Sequence, residues 1–338
     1  MRLFSLALGA VLSLATLRAA DKPLEIYFID VEGGQATLFV PPHGDSLLID
    51  TGWGYNAYRD ANRIAAACKL AHIKKIDYVL ITHYHIDHVG GVPQLVQKIP
   101  VGTFIDHGPN REDTKTTSTV YREYQTAIQG AQHIVAKPGD HLPIKGLDVT
   151  VVSADGNVIA DPLPGAGQPN PACSSVPKKE SDPSENARSL GTVLQFGDFR
   201  VVDLGDLTWN KELELVCPVN KLGKADLFVV SHHGLDLSNS PALVNAIAPR
   251  VAIMDNGAKK GGSPSAWDIV KSAPGIHDLW QLHFSDAGGN EHNAADPFIA
   301  NTNEADTGYY LKVTAWPNRT LEVYNPRNKF SKKYVSGP

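Results

Sequence analysis

Cysteine is scarce in this chain, with three residues in 338, and none of them has the spacing of a metal finger. The number is odd, so a full disulfide framework is excluded. Cys68 lies on an apolar stripe at helical spacing and is expected to be a buried core thiol. Cys173, in a Pro-rich segment, and Cys217, just before Pro218, are able to pair in an oxidising compartment. The sequence leaves that pairing open.

Positive charge is not in excess either, since the formal net charge is −5 at pH 7. Contacts from Lys and Arg to phosphates dominate nucleic-acid affinity, and they produce a broadly basic surface. We therefore expect no stable nucleic-acid partner.

Long apolar runs are confined to the first twenty residues. Residues 1–20 combine a short positive start, an apolar stretch from Leu3 to Leu17, and the small residues Ala19 and Ala20. This composition predicts a secretory signal peptide cleaved after Ala19 or Ala20, because the stretch is short for a membrane-spanning helix. An uncleaved anchor is the alternative. We expect a secreted or periplasmic mature chain without a transmembrane domain, whose net charge is −7 once Arg2 and Arg18 are removed.

Residues 21–338 are expected to form one domain, because they show no internal repeat and no change of composition that requires two. The predicted strands are 25–31, 35–40, 46–50, 77–82, 101–106, 148–153, 191–196, 199–203, 226–231, 250–254, 308–315 and 320–324. The predicted helices are 56–71, 90–99, 119–129, 209–216, 241–248 and 265–272. Many strands with helices between them indicate an α/β sandwich.

One long segment, residues 155–188, interrupts this pattern with a high content of Pro, Gly, Ser and Asn. A loop of this length between two strands is either functional or a surface insertion. Both interpretations, a cover over a cleft and a flexible insertion, stay open.

A cluster of histidines is the strongest functional signal, and it directly follows the apolar strand 77–82. His83, His85, Asp87 and His88 lie within six residues. Alternation along an extended backbone turns His83 and His85 to the same side, and Asp87 and His88 then approach from the following turn. Imidazole and carboxylate ligands offered from two directions predict two metal ions side by side.

Two further strands end in residues of the same type. The strand 199–203 leads to Gly205-Asp206, and the strand 226–231 leads to His232-His233-Gly234. Taken alone, each would be an ordinary turn or surface pair. Three strand ends with metal-ligating residues predict one shared site instead.

The order of these motifs along the chain resembles that of a known protein family. Residues 47–52 (Leu-Leu-Ile-Asp-Thr-Gly), the run 82–91 around the histidines, Gly205-Asp206 and Ser231–Gly234 resemble the metallo-β-lactamase superfamily. Residues 28–31, Asn186 with Ser189, and the His-His-Gly ending resemble one branch of it, the hydrolase domains of bacterial DNA-uptake channel (competence) proteins and their exported, phosphorylcholine-esterase-like relatives. The resemblance implies a four-layer αββα sandwich, with two mixed β-sheets flanked by helices and the metals along one edge of the sheets.

The resemblance also implies a role for each residue. Six metal ligands would hold two divalent ions, most simply Zn: His83 and His85 at the first, Asp87 and His88 at the second, Asp206 bridging both, and His233 completing the second. Asp87 and His232 are the expected catalytic residues, with His232 as proton donor or substrate contact, although His232 and His233 are able to exchange roles. Asp50 would hold a ligand or the turn in place.

The chain departs from the family at one position. Many members carry a third histidine of the first metal site after the strand equivalent to 148–153, where this chain has Ala154-Asp155. The first ion would then have fewer protein ligands, and Mn or Fe become alternatives to Zn. Asp155, Asn186 and His107 are the candidates for compensation, and His107 and Asn186 are also candidate substrate contacts.

The ligand set predicts a hydrolase in which the metals activate a water, and the sequence has no Gly-x-Ser-x-Gly nucleophile elbow to compete with it. The branch favours a phosphoester or phosphodiester substrate. A lactonase or β-lactamase is the second enzyme hypothesis, and the absent histidine disfavours it. The alternative of another class is a non-catalytic metal-binding surface module, which would predict missing ligands. The oligomeric state is not predicted.

Overall fold

The computed structural model describes residues 22–302 and 307–335, and the predicted signal peptide lies outside them. These residues form two nine-stranded mixed sheets packed face to face, with helices on both outer surfaces. The predicted αββα sandwich is confirmed. Among the described residues, no helix is both long and apolar enough to cross a membrane.

The described residues contain twenty strands, eighteen in the two large sheets and two, the tenth and the thirteenth, in a separate antiparallel pair. The first ten are β1 (Leu24–Phe28), β2 (Thr37–Val40), β3 (Leu47–Ile49), β4 (Ile76–Leu80), β5 (Val101–Asp106), β6 (Gln132–Val135), β7 (His141–Leu142), β8 (Asp148–Ala154), β9 (Asn157–Val158) and β10 (Gln168–Pro169). The others are β11 (Gly191–Phe196), β12 (Phe199–Asp203), β13 (Val219–Asn220), β14 (Leu227–Val229), β15 (Val251–Met254), β16 (Asp278–His283), β17 (Ile299–Asn301), β18 (Leu311–Ala315), β19 (Leu321–Asn325) and β20 (Phe330–Tyr334).

The helices cover the sheets and are short. They are α1 (Arg59–Leu70), α2 (Ile86–Val89), α3 (Val92–Leu95), α4 (Lys115–Ala127), α5 (Trp209–Val216), α6 (Pro241–Ile247) and α7 (Pro264–Lys271). Single 3₁₀ turns lie at Pro171–Ser174, Glu185–Arg188, Ser231–Gly234 and Asp296–Phe298.

Each sheet contains an antiparallel half and a parallel half. The first sheet has the order β20-β19-β18-β1-β2-β3-β4-β5-β6, and the pairs from β3 to β6 are parallel. The second has the order β17-β16-β15-β14-β12-β11-β8-β7, with β9 paired to β8, and the pairs from β12 to β17 are parallel. Parallel strands end at the same edge of a sheet, so each sheet presents a row of carboxyl-terminal strand ends.

Alternation along the strands explains the four layers. In β1, Ile26 and Phe28 face the core between the sheets, whereas Tyr27 packs with α1 and α4 on the outer surface. In β12, Val201 faces the inner core and Val202 packs with α5 and α6. Both faces of the central strands are therefore buried, which accounts for their nearly continuous apolar sequences.

The predicted helix 90–99 differs from the structure. The backbone forms two short helices, α2 and α3, which meet at Gly90 and Gly91. A Cβ on Gly91 would lie 2.1 Å from the carbonyl oxygen of Thr51, and one on Gly90 would lie 2.7 Å from the nitrogen of Gly54. The loop after β3 packs so closely here that only glycine fits at these positions.

The segment 155–188 is ordered by the body of the domain. A disulfide joins Cys173 to Cys217 at the end of α5, while the third cysteine, Cys68, is buried as a free thiol. The indole nitrogen of Trp209 donates to the carbonyl of Pro177 at 2.9 Å, and the ammonium of Lys179 lies 3.9 Å from the centre of the Trp209 ring. The segment then returns to the strand-end edge through the 3₁₀ turn Glu185–Arg188.

Candidate metal centre

The carboxyl-terminal ends of the parallel strands bring the predicted ligands together. The histidine cluster follows β4, Asp206 follows β12, and His232 and His233 follow β14. The two sheets meet at this edge, because Leu190 donates its N–H to the carbonyl of Thr82 at 2.8 Å. Within the second sheet, the N–H of His232 donates to the carbonyl of Gly205 at 3.0 Å. Gly205, at φ +55°, lies against Thr82 and leaves no room for a side chain.

The side chains form two groups that share one residue, and all of their members except the partly exposed His85 are buried. Asp87, His88, Asp206 and His233 each offer a ligand atom, and these four atoms lie within 4.8 Å of one another. His83, His85 and Asp206 form a second group by the same measure. Since Asp206 belongs to both, its carboxylate lies where a bridge between two cations would lie.

Distances within the first group are short. The Nε2 of His88 lies 3.1 Å from the Nε2 of His233, 3.2 Å from Asp206 and 3.3 Å from Asp87. The Nε2 of His233 lies 3.3 Å from Asp87 and 3.5 Å from Asp206. Two imidazole nitrogens and two carboxylates thus converge on one point, a donor set that suits a divalent ion such as Zn²⁺.

The imidazoles of His88 and His83 are each held through the other ring nitrogen. The Nδ1 of His88 lies 2.7 Å from the carboxylate of Asp50, which also accepts hydrogen bonds from the N–H and hydroxyl of Thr82 at 2.8 and 2.7 Å. The Nδ1 of His83 lies 3.0 Å from the Thr82 hydroxyl. Partners of this kind fix the orientation of metal-binding histidines. The Nδ1 of His233 lies 3.3 Å from Asp255, but the two atoms do not form a hydrogen bond.

His85 has the opposite arrangement. Its Nε2 lies 2.9 Å from the carboxylate of Glu112, in the loop after β5, so its Nδ1 is the nitrogen that remains for a metal. The same Glu112 oxygen accepts a hydrogen bond from the N–H of Glu185 at 2.9 Å. Glu112 therefore connects the first ligand group to the 3₁₀ turn of the long segment.

The charges at the site compensate one another. Burial alone would raise the pKa of Asp206, but His232, His88 and His233 hold that pKa well below its usual range. Burial opposes protonation of His88, yet Asp206, Asp87 and Asp50 raise its pKa well above the usual value. A cation that enters must displace these protons, so metal binding is coupled to pH.

Several buried polar atoms have no hydrogen-bond partner. They include the Nε2 of His83, one oxygen of Asp206 and both oxygens of Asp255. Burial lowers the pKa of His83 well below its usual value, so the imidazole is neutral and its Nε2 lone pair is free for a metal. Unpaired buried ligand atoms are costly without a metal, so the residues fit a two-metal centre.

His232 and His233 occupy different positions. Both residues have left-handed backbone conformations, at φ +55° and +53°, which turns the two rings in different directions. His233 belongs to the group of four ligand atoms. The Nε2 of His232 lies 3.4 Å from Asp206 and 3.4 Å from the amide nitrogen of Asn186, while its Nδ1 lies 3.3 Å from the Ser238 hydroxyl. This geometry favours His233 as the ligand and leaves His232 beside the site with Asn186.

The other candidates for compensation at the first group lie further back. Both oxygens of Asp155 pair with the Arg111 guanidinium at 2.8 and 2.7 Å. The Nε2 of His107 lies 2.9 Å from Glu185, and its ring packs 4.7 Å from that of Tyr84. His107 thus reaches the ligands only through Glu185, Glu112 and then His85.

Sequence reasoning missed Glu112, Glu185, Asp255 and Lys260. The ammonium of Lys260 contacts the carboxylate of Asp87 and lies 5.1 Å from the centre of the Trp53 ring. Asp255 directly follows the buried strand β15, so the strand-end rule that found Asp206 could also have found it. Glu112 and Glu185 lie in irregular segments, and no local pattern distinguishes them from surface carboxylates.

Comparison with known proteins agrees with this fold. The sequence model of the family described as Metallo-beta-lactamase superfamily matches residues 29–169. A hydroxyacylglutathione hydrolase from Erwinia tasmaniensis is 32% identical over 81 residues, which cover 24% of this chain and 26% of that enzyme. The chain thus matches about a quarter of the length of that relative.

Solved structures resemble the chain more distantly. MEM-A1, a subclass B3 metallo-beta-lactamase from a soil metagenome library, has 16% identity and a TM-score of 0.38, and the match covers 75% of this chain and 83% of that one. A diphosphatase of the PhnP family has 14% identity and a TM-score of 0.34, and covers 65% and 72%. The family model matches less than half of the chain, and the two mixed sheets covered by helices agree with the sandwich that the resemblance to this superfamily predicts.

Proposed function

We propose that the chain is a hydrolase that binds two divalent metal ions, most simply zinc, and acts on phosphoesters or phosphodiesters. The observation that carries the proposal is the pair of ligand groups that share Asp206. A non-catalytic metal-binding module would need only one complete group, whereas here both are assembled at one edge and six predicted ligands converge there.

The chain's own residues have separate tasks. Asp87, His88, Asp206 and His233 would hold one ion, and His83, His85 and Asp206 the other. Bound there, the two ions would supply a hydroxide nucleophile near neutral pH and stabilise developing negative charge. His232 lies next to Asp206 and beside the amide of Asn186, so it is placed to transfer a proton to a leaving group.

Several features support the phosphoester preference. The first ligand group has no third histidine, since Ala154 ends β8 and Asp155 is paired with Arg111. The His232-His233-Gly234 ending resembles the one found in the hydrolase domains of competence proteins. Lys260 adds a positive charge at the edge of the site, which suits an anionic substrate.

Export is part of the proposal. Residues 1–20 have the composition of a signal peptide. The Cys173–Cys217 disulfide supports it independently, because such bonds persist mainly in oxidising compartments.

Hydrolysis of an acyl compound is the second candidate, either of a lactam or lactone or of a thioester. The relative named hydroxyacylglutathione hydrolase favours it, although the match covers only 81 residues. The first ligand group argues against it, because lactamases and lactonases of the family usually supply a third histidine there.

A substrate panel tests the proposal. The purified mature chain, loaded in turn with Zn, Mn and Fe, is assayed with bis-p-nitrophenyl phosphate, nitrocefin and an acyl-homoserine lactone. We expect turnover of the phosphodiester, abolished by Asp87→Ala and by Asp206→Ala while the circular dichroism spectrum stays unchanged. Activity confined to nitrocefin or to the lactone would overturn the phosphoester preference.

A further inference from the structure

We propose that Trp53, Tyr55 and Lys260 form a substrate-binding subsite at the edge of the metal centre, which takes an anionic oxygen of the substrate at Lys260 and an uncharged planar group against the two aromatic rings. The inference rests on the proposed function, since it names the part of a phosphoester that this edge recognises. Trp53, Tyr55 and Lys260 are called the rim subsite below.

Lys260 is the charged member of the rim subsite. Its side chain is 31% exposed, and its ammonium contacts the carboxylate of Asp87, a member of the four-ligand group. A divalent cation held by Asp87 would take over much of that carboxylate's charge. The ammonium, still at the open edge of the site, then has a partner only if the substrate brings an anionic oxygen.

The backbone holds Lys260 in place. Its carbonyl accepts the N–H of Gly257 at 2.8 Å, and a Cβ on Gly33 would lie 2.9 Å from the Lys260 Cβ. The next residue, Gly261, packs against the carbonyl of His233, where a Cβ would lie only 2.1 Å away. The position of the lysine is thus fixed relative to a ligand, as a recognition residue requires.

Backbone contacts also hold Trp53 in place. Its N–H donates to the buried carboxylate of Asp60 at 2.8 Å. The neighbouring Gly54 lies against Gly90, the residue at the junction of α2 and α3, where a Cβ would come 2.4 Å from the Gly90 oxygen. The backbone on both sides of the Trp53 side chain is therefore held in place beside the site.

Tyr55 lies next to Trp53 on the solvent-exposed side. Its ring centre lies 5.4 Å from that of Trp53, with the rings tilted by 57°, and 49% of the residue is exposed. Neither residue belongs to the apolar clusters that form the core. A pair of aromatic rings beside buried ligands, without a packing role in the core, offers a surface on which a planar group can stack.

The position of Lys260 decides which group is accepted. Its ammonium lies over the Trp53 ring, 5.1 Å from the centre, so it already occupies the place where a quaternary ammonium would gain a cation–π contact. A second cation there would be repelled. The rim subsite should therefore prefer aryl or nucleoside phosphates to choline phosphates.

Binding of non-hydrolysable and product-like ligands tests the inference directly. The metal-loaded chain is titrated calorimetrically with phenylphosphonate, methylphosphonate and phosphocholine, the phosphocholine sample is assayed for released inorganic phosphate, and the metal content of every variant is measured. We expect the order of affinity phenylphosphonate, methylphosphonate, phosphocholine. Loss of the charged contact in Lys260→Met should weaken phenylphosphonate binding about tenfold or more, and should reduce the discrimination against phosphocholine.

Matched variants separate the contributions. Lys259→Met removes the same charge from an exposed neighbour and should leave all three affinities unchanged. Tyr55→Leu and Trp53→Leu should weaken phenylphosphonate but not methylphosphonate, and Trp53→Phe should restore most of the loss. Lys260→Arg should retain binding of the anion.

The outcomes distinguish this inference from the proposed function. Unchanged affinities in Lys260→Met, or a loss of metal without a change in discrimination, would overturn the rim subsite, since Lys260 would then only balance the charge of Asp87. A chain that binds phenylphosphonate through these residues but hydrolyses no phosphoester would overturn the proposed function and leave the subsite supported.

Discussion

Glu112→Ala is the substitution that most sharply examines how the first ligand group works without a third histidine. The Glu112 carboxylate lies 2.9 Å from the Nε2 of His85, and it also binds the N–H of Glu185 at 2.9 Å. Removing it frees the His85 ring, whose side chain is 24% exposed, to rotate away from His83 and Asp206. It also leaves the Glu185 N–H without its partner.

The size of the effect follows from the single contact. Loss of a carboxylate that holds a metal-binding histidine lowers metal affinity by about 10- to 100-fold, equivalent to about 1.4–2.8 kcal/mol. Glu112→Gln keeps an oxygen that can accept both hydrogen bonds and loses only the charge. We therefore expect its loss to lie near the lower limit, about tenfold.

The assay is a competition titration with a chromophoric zinc chelator, which resolves the affinities of two sites. We expect one site to weaken in Glu112→Ala while the other keeps its affinity. Glu123→Ala, which removes an exposed carboxylate from α4, is the matched control and should match the wild type. Two unchanged affinities in Glu112→Ala would refute the role of Glu112 and question His85 as a ligand.

Two further predictions concern stability. The double variant Cys173→Ser/Cys217→Ser opens a loop with a sequence separation of 44 residues; loop-closure entropy gives about 4 kcal/mol as the upper bound of the loss, measured by denaturant unfolding of the metal-loaded chains. An unchanged free energy of unfolding would show that the disulfide does not constrain the segment. At His133, the hydrogen bond to Asp106 raises the pKa above 6.5. Its stabilisation is therefore complete below pH 6.5 and is lost as the pH rises through the raised value. The difference in unfolding free energy between wild type and His133→Gln should be larger at about pH 5.5 than at about pH 8.5, and an equal difference would contradict the charged pair.

The elements with strong local patterns were predictable. Strands β5, β11 and β12 and helix α5 have the predicted bounds, because continuous apolar runs and a Pro or Gly at their ends define them locally. Strands β16 and β20 were missed. The first was not recognised among Gly- and Asn-rich surroundings, and the second, Phe-Ser-Lys-Lys-Tyr, is a polar edge strand whose position depends on pairing with β19.

In the candidate site, too, the residues that follow a strong local pattern could be predicted and the others could not. Asp206 and His233 were identified because each follows a buried strand, and parallel strands deliver their ends to one edge. Glu112 contacts His85, which is 27 residues away along the chain, and Lys260 contacts Asp87, which is 173 residues away. Their roles depend on how loops from different strands meet, which no local pattern in one sequence encodes.

The resemblance assigns His233 to the second site but leaves an exchange of roles with His232 open, and the structure favours His233. The two residues are adjacent and chemically identical, so sequence spacing leaves either as the ligand. Their successive left-handed conformations direct His233 toward Asp87 and His88, and His232 toward Asn186 and Ser238. Such backbone positions in non-glycine residues are a strained feature often found at functional sites.

The central claim, that one carboxylate joins two metal sites, is tested most directly by metal stoichiometry. Elemental analysis of the purified wild-type chain and of Asp206→Ala, both dialysed against metal-free buffer and folded by circular dichroism, gives the metal content per chain. The shared position of Asp206 leads us to expect close to two ions per wild-type chain and a loss from both sites in the variant. A wild-type content near zero, or a variant that keeps both ions, would contradict the account.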